Sequence, residues 1–253
     1  QRDSNKLRVN RAYKGMMNDE DERESMKRQY VWLNEMLDGL PLTTMIYDGV
    51  EADDIMAYIS TKILKEDEQA VVMSTDKDFL QLIDDTTIVW SPTKKKMYNT
   101  KMVKEEFGIE SKNLLLYRVL DGDSSDNIPG VYGCGIKTLV KRFPELTEDT
   151  KLSVDDLFNL CEQKKVETKG KIKLYNDILE AKNQILLNRE LMQLDDVDIS
   201  GQIKMQVLDR FNEPIKPLNK MDFMKILLKY KVTSNFGDLN DWLKTTFGNL
   251  VTD

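Results

Sequence analysis

The sequence predicts an α/β fold with a parallel, doubly wound sheet, followed by a mostly helical C-terminal region. Apolar runs of about five residues alternate with segments of helical spacing up to residue 100, which is typical of parallel strands joined by helices. Beyond residue 100 almost every segment has helical spacing or reads as a loop. We therefore place a soft domain boundary near residue 100, between regions 1–100 and 101–253.

The first elements follow from local composition. Residues 15–25 are polar and acidic and predict a mobile or weakly helical loop. Helical spacing predicts a helix over residues 26–37 that ends near Gly39. Thr44–Asp48 is predicted to be a short strand, and residues 51–65 are predicted to be a helix with isoleucines on one face.

The next elements complete the predicted sheet. Ala70–Thr75 is apolar and predicts a buried strand, followed by a short helix through Phe79–Leu82. Thr86–Trp90 predicts another strand. In the C-terminal region we expect helices around a glycine-rich turn at 130–135, ending in an amphipathic helix at 233–247.

Composition limits the possible chemistry. The chain has 253 residues, of which 32% are charged, with two cysteines and no histidine. These counts exclude zinc fingers, disulfide scaffolds and every mechanism that needs imidazole. No run of 18 apolar residues and no charged-then-apolar leader is visible, so we expect neither membrane insertion nor secretion. Catalysis would have to use carboxylates, hydroxyls, amines or a metal held by oxygen.

The charge is unevenly distributed. A net charge of −7 usually argues against nucleic acid binding, because phosphate contacts need Lys and Arg. However, the opening stretch, Lys94–Lys96 and residues 164–173 are basic, whereas acids concentrate between Asp48 and Asp126. Basic patches around an acidic hollow fit a metal-dependent enzyme that acts on nucleic acid. The alternative is that each charged run is only a solvated face.

Three acidic clusters follow strands or begin helices. They are Glu51–Asp54, Asp76–Asp78 and Asp121–Asp126. Each has a structural alternative, since acids cap helices and form turns, and the third also resembles a calcium loop with a misplaced glycine. Asp76 and Asp78 leave one strand together and repel each other unless a cation lies between them. The three clusters together favour a shared site for two Mg²⁺ ions, with Mn²⁺ as a substitute, about 4 Å apart.

The glycine-rich turn is the second strong feature. Gly130, Gly133 and Gly135 precede a helix that begins near Lys137 and Thr138. Outward N–H groups at such a turn can bind anions, although the spacing fits neither a Walker loop nor a dinucleotide loop. The alternative is a tight connection between helices. Adjacent basic residues favour a DNA phosphate backbone held without sequence readout.

These motifs resemble the 5′-nuclease superfamily of flap endonucleases and 5′→3′ exonucleases. The resemblance is carried by Val50–Asp54, Ser74–Phe79 and Gly122–Thr138, in this order and with the family's spacing. Val89–Tyr98 and the helical tail are similar to the ribonuclease H branch of T-even-type phages. The resemblance implies a PIN-like nuclease core in residues 1–100 and, in residues 101–253, a DNA-binding region with a helix-three-turn-helix at 122–143.

The resemblance also implies roles for individual residues. Three acids would serve the first ion and four the second, partly through water, and Lys14 would be catalytic together with the acids of the first two clusters. An arch would span residues 6–30. The glycine turn would bind duplex DNA, with K⁺ bound there. The first-ion residues are Glu51, Asp53 and Asp54; the second-ion residues are Asp76, Asp78, Asp123 and Asp126; the DNA-binding residues are Lys6, Arg8, Arg11, Tyr13, Lys14, Gly130, Gly133, Gly135, Lys137 and Thr138.

The sequence departs from the family pattern in two places. The family's opening strands, each carrying an aspartate, have no counterpart here, so we expect a truncated chain whose first ion site lacks ligands. Cys134 stands where the family usually has an aliphatic residue, and we expect it to behave as a small hydrophobe.

The predicted function is a Mg²⁺-dependent structure-specific 5′ nuclease that removes primers during replication. Its substrates would be DNA with 5′ flaps or nicks and RNA–DNA hybrids, and its partners a single-strand-binding protein or clamp. We expect a monomer in the cytoplasm, that of an infected bacterium if the phage resemblance holds. The alternatives are a catalytically impaired DNA-binding protein of the same fold, a single-strand ribonuclease and an acidic interaction protein whose clusters are only caps.

Overall fold

The mixed α/β class is confirmed in the computed structural model, which describes residues 20–233 and 237–248. Compactness divides these residues into two units. The first unit spans residues 49–199, and the second combines residues 20–48 with those from 200 onwards. The boundary near residue 100 divides the chain by function rather than compactness, and it stays a prediction.

The elements alternate between short strands and helices at first and are helical thereafter. The strands are β1 (Ala70–Met73), β2 (Thr87–Ser91) and β3 (Lys96–Tyr98), and the helices are α1 (Glu20–Asp38), α2 (Ala52–Tyr58), α3 (Thr100–Phe107), α4 (Leu114–Asp121), α5 (Ile136–Arg142), α6 (Val154–Glu167), α7 (Lys173–Glu180), α8 (Lys182–Met192), α9 (Gly201–Asn212), α10 (Lys220–Tyr230) and α11 (Leu239–Phe247). No helix in the described part of the chain is long and apolar enough to span a bilayer.

The described sheet has three strands in the order β1-β2-β3, and it differs from the predicted parallel sheet. β1 pairs with β2 in parallel, but β2 pairs with β3 antiparallel. Four residues separate β2 from β3 along the chain, which is too short for the crossover that a parallel pair requires. β1 is also less buried than its apolar sequence predicts, since Val72 is buried while Val71 and Met73 are exposed.

One predicted strand is wrong. Thr44–Asp48 is irregular, although its sequence suits a strand. The described sheet consists of β1, β2 and β3, so this segment has no ladder partner within it. The Nε of Arg210 instead donates a hydrogen bond to the Thr44 carbonyl at 3.3 Å, and Ile46 is exposed. Local propensity cannot form a strand where no neighbouring strand pairs with it.

The predicted helices are largely confirmed, with shifted ends. The helix predicted over 26–37 is α1, which also includes residues 20–25, so the weakly helical alternative applies there. An ion pair between Glu24 and Lys27, 2.7 Å apart, supports this early turn. The helix predicted over 51–65 is α2 continued by a π-helical turn at Ile59–Ile63. The final helix begins only at Leu239, where Asp238 caps it.

α4 lies at the centre of the first unit. Most of its side chains are buried, and they pack against α8 and against the short 3₁₀ helix Lys77–Leu82 that follows β1. The buried Asn188 of α8 donates hydrogen bonds to the carbonyls of Val119, 2.9 Å away, and Pro129, 2.8 Å away. α8 therefore holds both the end of α4 and the loop that follows it.

The second unit has a small helical core. Phe223 and Leu227 of α10 pack with Leu40, Leu239 and Leu243. Aromatic rings extend this core, because Trp32 of α1 stacks on Tyr230 of α10 with ring centroids 4.9 Å apart. α1 and α10 are thus joined by side chains within this unit.

A charged network joins β3 to α3. The buried Tyr98 hydroxyl donates to Glu106 at 2.9 Å, and Lys94 and Lys96 approach the same carboxylate at 3.0 and 2.6 Å. Burial would raise the pKa of Glu106, but these hydrogen bonds outweigh it and lower the pKa from 4.5 to about 2. Glu106 therefore offsets one of the three positive charges predicted at Lys94–Lys96.

Replacing Glu106 by Gln is expected to lower the free energy of unfolding at pH 7 by about 1–2 kcal/mol, after allowance for solvent screening. A depressed pKa stabilises the fold above the unfolded value of 4.5, so the loss should shrink as the pH falls from 4.5 towards about 2. Urea denaturation over this pH range measures it. Glu105→Gln is the matched control, because its carboxylate is 3.8 Å from Lys101 and exposed. Equal pH dependence in the two variants would contradict the assignment.

Candidate functional site

The two aspartates of the second cluster, which follow β1, lie in different environments. Asp76 is exposed and caps the 3₁₀ helix, since its Oδ1 accepts a hydrogen bond from the Asp78 N–H at 2.9 Å. Asp78 is only 6% exposed. The capping alternative therefore holds for Asp76, whereas Asp78 is buried and needs a partner of opposite charge.

Arg118 of α4 is that partner. Its Nε donates to Asp78 Oδ1 at 2.9 Å, and its second terminal nitrogen donates to Asp123 Oδ2 at 2.7 Å. The Arg118 and Asp78 side chains are 9% and 8% exposed, and that of Asp123 is 20% exposed. The chain itself thus supplies a cation to the buried aspartate of the second cluster, and the same guanidinium also binds the third cluster.

The second and third clusters line one cleft of about 510 Å³. Three of the four predicted ligands of the second ion, Asp76, Asp123 and Asp126, line this cleft. The fourth, Asp78, is not among the lining residues. The complete lining is Thr75, Asp76, Lys77, Arg118, Asp121, Gly122, Asp123, Ser124, Ser125 and Asp126. Four carboxylates against two cationic side chains make this cleft acidic.

The carboxylates bonded to Arg118 have shifted ionisation. Burial raises the pKa of Asp78, against the opposing charge and hydrogen bond of Arg118. Burial acts in the same direction on Asp123, but hydrogen bonds from Ser125 and Arg118 outweigh it, and the pKa of Asp123 lies below its ordinary value. Burial disfavours the charged form of Arg118 too, yet the charge of Asp78 raises its pKa. The guanidinium therefore stays charged.

The cleft fits a hydrated divalent cation better than a fully protein-coordinated one. Within residues 20–233 and 237–248, no group of three or more His, Cys, Asp or Glu side chains could hold a metal ion directly. Mg²⁺ commonly keeps several waters and uses only one or two carboxylates. The carboxylates of the cleft meet that requirement, so the donor chemistry of the residues present suits such an ion.

The first acidic cluster lies at the start of α2. Glu51 precedes the helix without capping it through its side chain, and Asp53 and Asp54 are in its first turn, where the helix dipole favours acids. α2 packs against the 3₁₀ helix Lys77–Leu82. Even so, Glu51, Asp53 and Asp54 are not among the residues that line the described cleft. The structure thus joins two of the three predicted clusters in one cleft.

The predicted basic approach lies outside the described residues. Lys6, Arg8, Arg11, Tyr13 and Lys14 all precede residue 20, where the description begins. Of the predicted arch at 6–30, only the part within α1 is described.

The glycine turn joins α4 to α5 through residues 122–135. Gly122 has a φ of +76°, and a Cβ at Gly130 would lie 2.0 Å from the Asp121 carbonyl oxygen, so both positions require glycine. Gly133 also has a positive φ, of +84°. Gly135 is the N-cap residue of α5, which places Lys137 exposed and Thr138 half-buried in its first turn.

The burial of Cys134 supports the expectation that this residue acts as a small hydrophobe. It is buried as a free thiol, and burial raises its pKa to about 12. The nearby Tyr132 is instead 94% exposed at the turn.

Sequence reasoning missed Arg118, Asn188 and Tyr132. A single Arg in the otherwise apolar run of α4 is a usable signal for Arg118, because a buried guanidinium must have acidic partners. The contacts of Asn188 join positions 69 and 59 residues away, for which one sequence offers no local signal.

Known proteins are similar to this chain in sequence. The family model for the 5′-3′ exonuclease N-terminal resolvase-like domain matches residues 3–108. A 5′-3′ exonuclease of Buchnera aphidicola (subspecies Acyrthosiphon pisum) is 27% identical over 184 residues, covering 71% of this chain and 62% of that protein. DNA polymerase I of Bacillus subtilis is 34% identical over 173 residues, covering 66% of this chain and 18% of that protein.

Over residues 3–108 the chain is similar to the 5′-3′ exonuclease family. Solved structures have a similar fold: the bacteriophage T5 flap endonuclease, in a pseudo-enzyme-product complex with DNA and metal ions, has a TM-score of 0.59 at 21% identity, over 88% of this chain and 76% of that one. The T5 5′-exonuclease with bound zinc ions has a TM-score of 0.58 at 22% identity, over 87% and 76% of the two chains. The chain spans less than two thirds of either curated relative, so the activity of the whole protein is a proposal.

The two aspartates after β1 should differ in their effect on stability. Asp78→Ala leaves the buried Arg118 charge with one partner fewer and is expected to lower the free energy of unfolding by about 3 kcal/mol or more. Asp76→Ala removes only a cap and should cost about 1 kcal/mol. Urea denaturation in the presence of a chelator measures both. Equal losses would contradict the unequal roles assigned to the pair.

Proposed function

We propose that this chain is a structure-specific 5′ nuclease that hydrolyses phosphodiesters with divalent metal ions. The observation that carries the proposal is continuity: the acids Asp121–Asp126 and the glycine turn with Lys137 belong to one uninterrupted segment. A nucleic acid held by the turn would therefore lie next to an acidic cleft. The similarity of residues 3–108 to the 5′-3′ exonuclease family, and the names of an exonuclease relative and a flap endonuclease of similar fold, support the same activity.

The proposed chemistry assigns distinct tasks to the side chains of the cleft. When bound, a divalent ion supplies Lewis acidity to phosphodiester hydrolysis. Asp76, Asp123 and Asp126 would hold it, largely through water, and Arg118 orients Asp123. Lys77, on the same cleft, offsets negative charge as a phosphate approaches. Glu51, Asp53 and Asp54 remain the proposed residues for a first ion, and Mg²⁺ the proposed metal.

Binding of DNA is proposed for the turn and the helix after it. Gly130, Gly133 and Gly135 bring the backbone to the surface, and Lys137 is exposed at the start of α5. Such contacts recognise phosphates and carry no sequence readout. K⁺ at this turn, the helix-three-turn-helix assignment and the basic approach Lys6–Lys14 remain predictions. So do RNA–DNA hybrid cleavage, a clamp or single-strand-binding partner, the monomeric state and the cytoplasmic location in an infected host.

Cleavage of a labelled 5′-flap duplex tests the activity. We expect cutting near the junction with Mg²⁺ and none with chelator, and a loss of about 10- to 100-fold in Asp126→Asn, whose carboxylate lines the cleft. Asp155→Asn, an exposed acid in the first turn of α6, is the matched control and should cut normally. Duplex binding without Mg²⁺-dependent cutting would favour the impaired DNA-binding alternative.

The turn can be tested by binding alone. Lys137→Ala should weaken binding of the flap duplex and reduce the slope of log Kd against log salt by about one, since one phosphate contact is lost. The control is Lys101→Ala, an equally exposed lysine in the first turn of α3. Fluorescence anisotropy from 50 to 200 mM salt, about the range where such contacts change most, measures both. If the two variants behave alike, Lys137 does not contact DNA.

A further inference from the structure

Arg118 is placed unlike an ordinary structural ion pair. It lies on α4, where most of the other side chains are apolar, and its own side chain is 9% exposed. It nevertheless lines the acidic cleft. Its bonds reach Asp78, which follows β1, and Asp123, which follows α4, so one cation connects two acids far apart in sequence.

Both carboxylates are occupied by donors in this arrangement. Asp123 accepts from Arg118 at one oxygen and from the N–H and hydroxyl of Ser125 at the other. Asp78 accepts from Arg118 at Oδ1. Without the guanidinium, two neighbouring partly buried carboxylates would repel each other and attract any available cation.

We propose that Arg118 is the resident cation of the cleft: it holds Asp78 and Asp123 in the metal-free protein and opposes binding of a divalent ion at the cleft, where Asp123 is a proposed ligand. This role rests on the proposed metal-dependent function and deepens it. Arg118 is thus a positioning residue that makes the fold independent of metal and weakens metal affinity. A merely structural arginine would stabilise the protein equally with and without metal.

The test compares thermal unfolding and Mn²⁺ binding of the wild type and Arg118→Met. In chelator, the variant should unfold at a lower temperature, because its two carboxylates have lost their counter-charge. Mn²⁺ should raise its unfolding temperature more than that of the wild type, since ligand binding to the folded state stabilises it. Calorimetry should give a Kd for Mn²⁺ about 3- to 10-fold lower than that of the wild type.

Two further variants separate the bridging role from general electrostatics. Lys77→Met removes another positive charge that lines the cleft, and it should leave the unfolding temperature in chelator nearly unchanged. Arg118→Met combined with Asp78→Asn restores the charge balance, so it should unfold later in chelator than Arg118→Met alone and lose the tighter Mn²⁺ binding. If Arg118→Met does not fold with or without Mn²⁺, Arg118→Gln is judged by the same criteria.

The outcomes distinguish this role from the proposed function. If Mn²⁺ raises the unfolding temperature of Arg118→Met no more than that of the wild type, the proposed role of Arg118 is wrong. Mg²⁺-dependent cleavage by the wild type would still support the nuclease proposal in that case. Absence of Mn²⁺ binding in both proteins overturns both. Binding that appears only after Arg118 is replaced supports the resident cation and counts against metal use by the wild-type chain.

Discussion

The buried guanidinium of Arg118 is the interaction on which the candidate site depends. A charge that is nearly removed from water is stable only with well-placed acidic partners, and Arg118 finds them in Asp78 and Asp123. This requirement fixes the 3₁₀ helix after β1, the end of α4 and the following loop relative to one another. The apolar side chains of α4 supply the packing that keeps the guanidinium in position.

Backbone constraints then propagate from the end of α4 into the glycine turn. Gly122 leaves the helix with a positive φ, and Gly130 returns so close to Asp121 that no side chain fits. The Asn188 amide donates to carbonyls on both sides of this turn, at Val119 and Pro129. Because these are buried hydrogen bonds, breaking them would leave carbonyls without partners. The cleft acids Asp121–Asp126 lie in or beside this constrained stretch of backbone, which continues to the exposed start of α5.

Periodicity predicted those elements whose stability is mostly local. The helices over 26–37 and 51–65 and the strands near 70 and 87 could be placed from apolar spacing, because apolar residues recur in each of them at the period of a helix or a strand. The strand at Thr44–Asp48 failed since strands need a partner, and β3 was missed because three residues give too little pattern. The antiparallel β2–β3 pair likewise depends on pairing that composition does not encode.

The site could be predicted only as far as its acids were close in sequence. The clusters at Asp76–Asp78 and Asp121–Asp126 were identified from spacing, and they do meet at one cleft. The sequence also required a cation near the second cluster, on the argument that its carboxylates repel. It could not identify that cation as Arg118, because the bond spans 40 residues and depends on how α4 packs. The unequal burial of Asp76 and Asp78 has the same origin.

An acidic chain can still approach DNA if its charges are segregated. The net charge is −7, yet the cleft acids Asp121–Asp126 and the cations Lys137, Lys141 and Arg142 lie on adjacent parts of one segment. Screening within about 8–10 Å at physiological salt makes the local distribution matter more than the total. Under the proposed function, the basic helix would retain the backbone of the substrate while the cleft concentrates divalent cations. The acidity that argues against binding for the whole chain would then be the property that makes cleavage depend on metal.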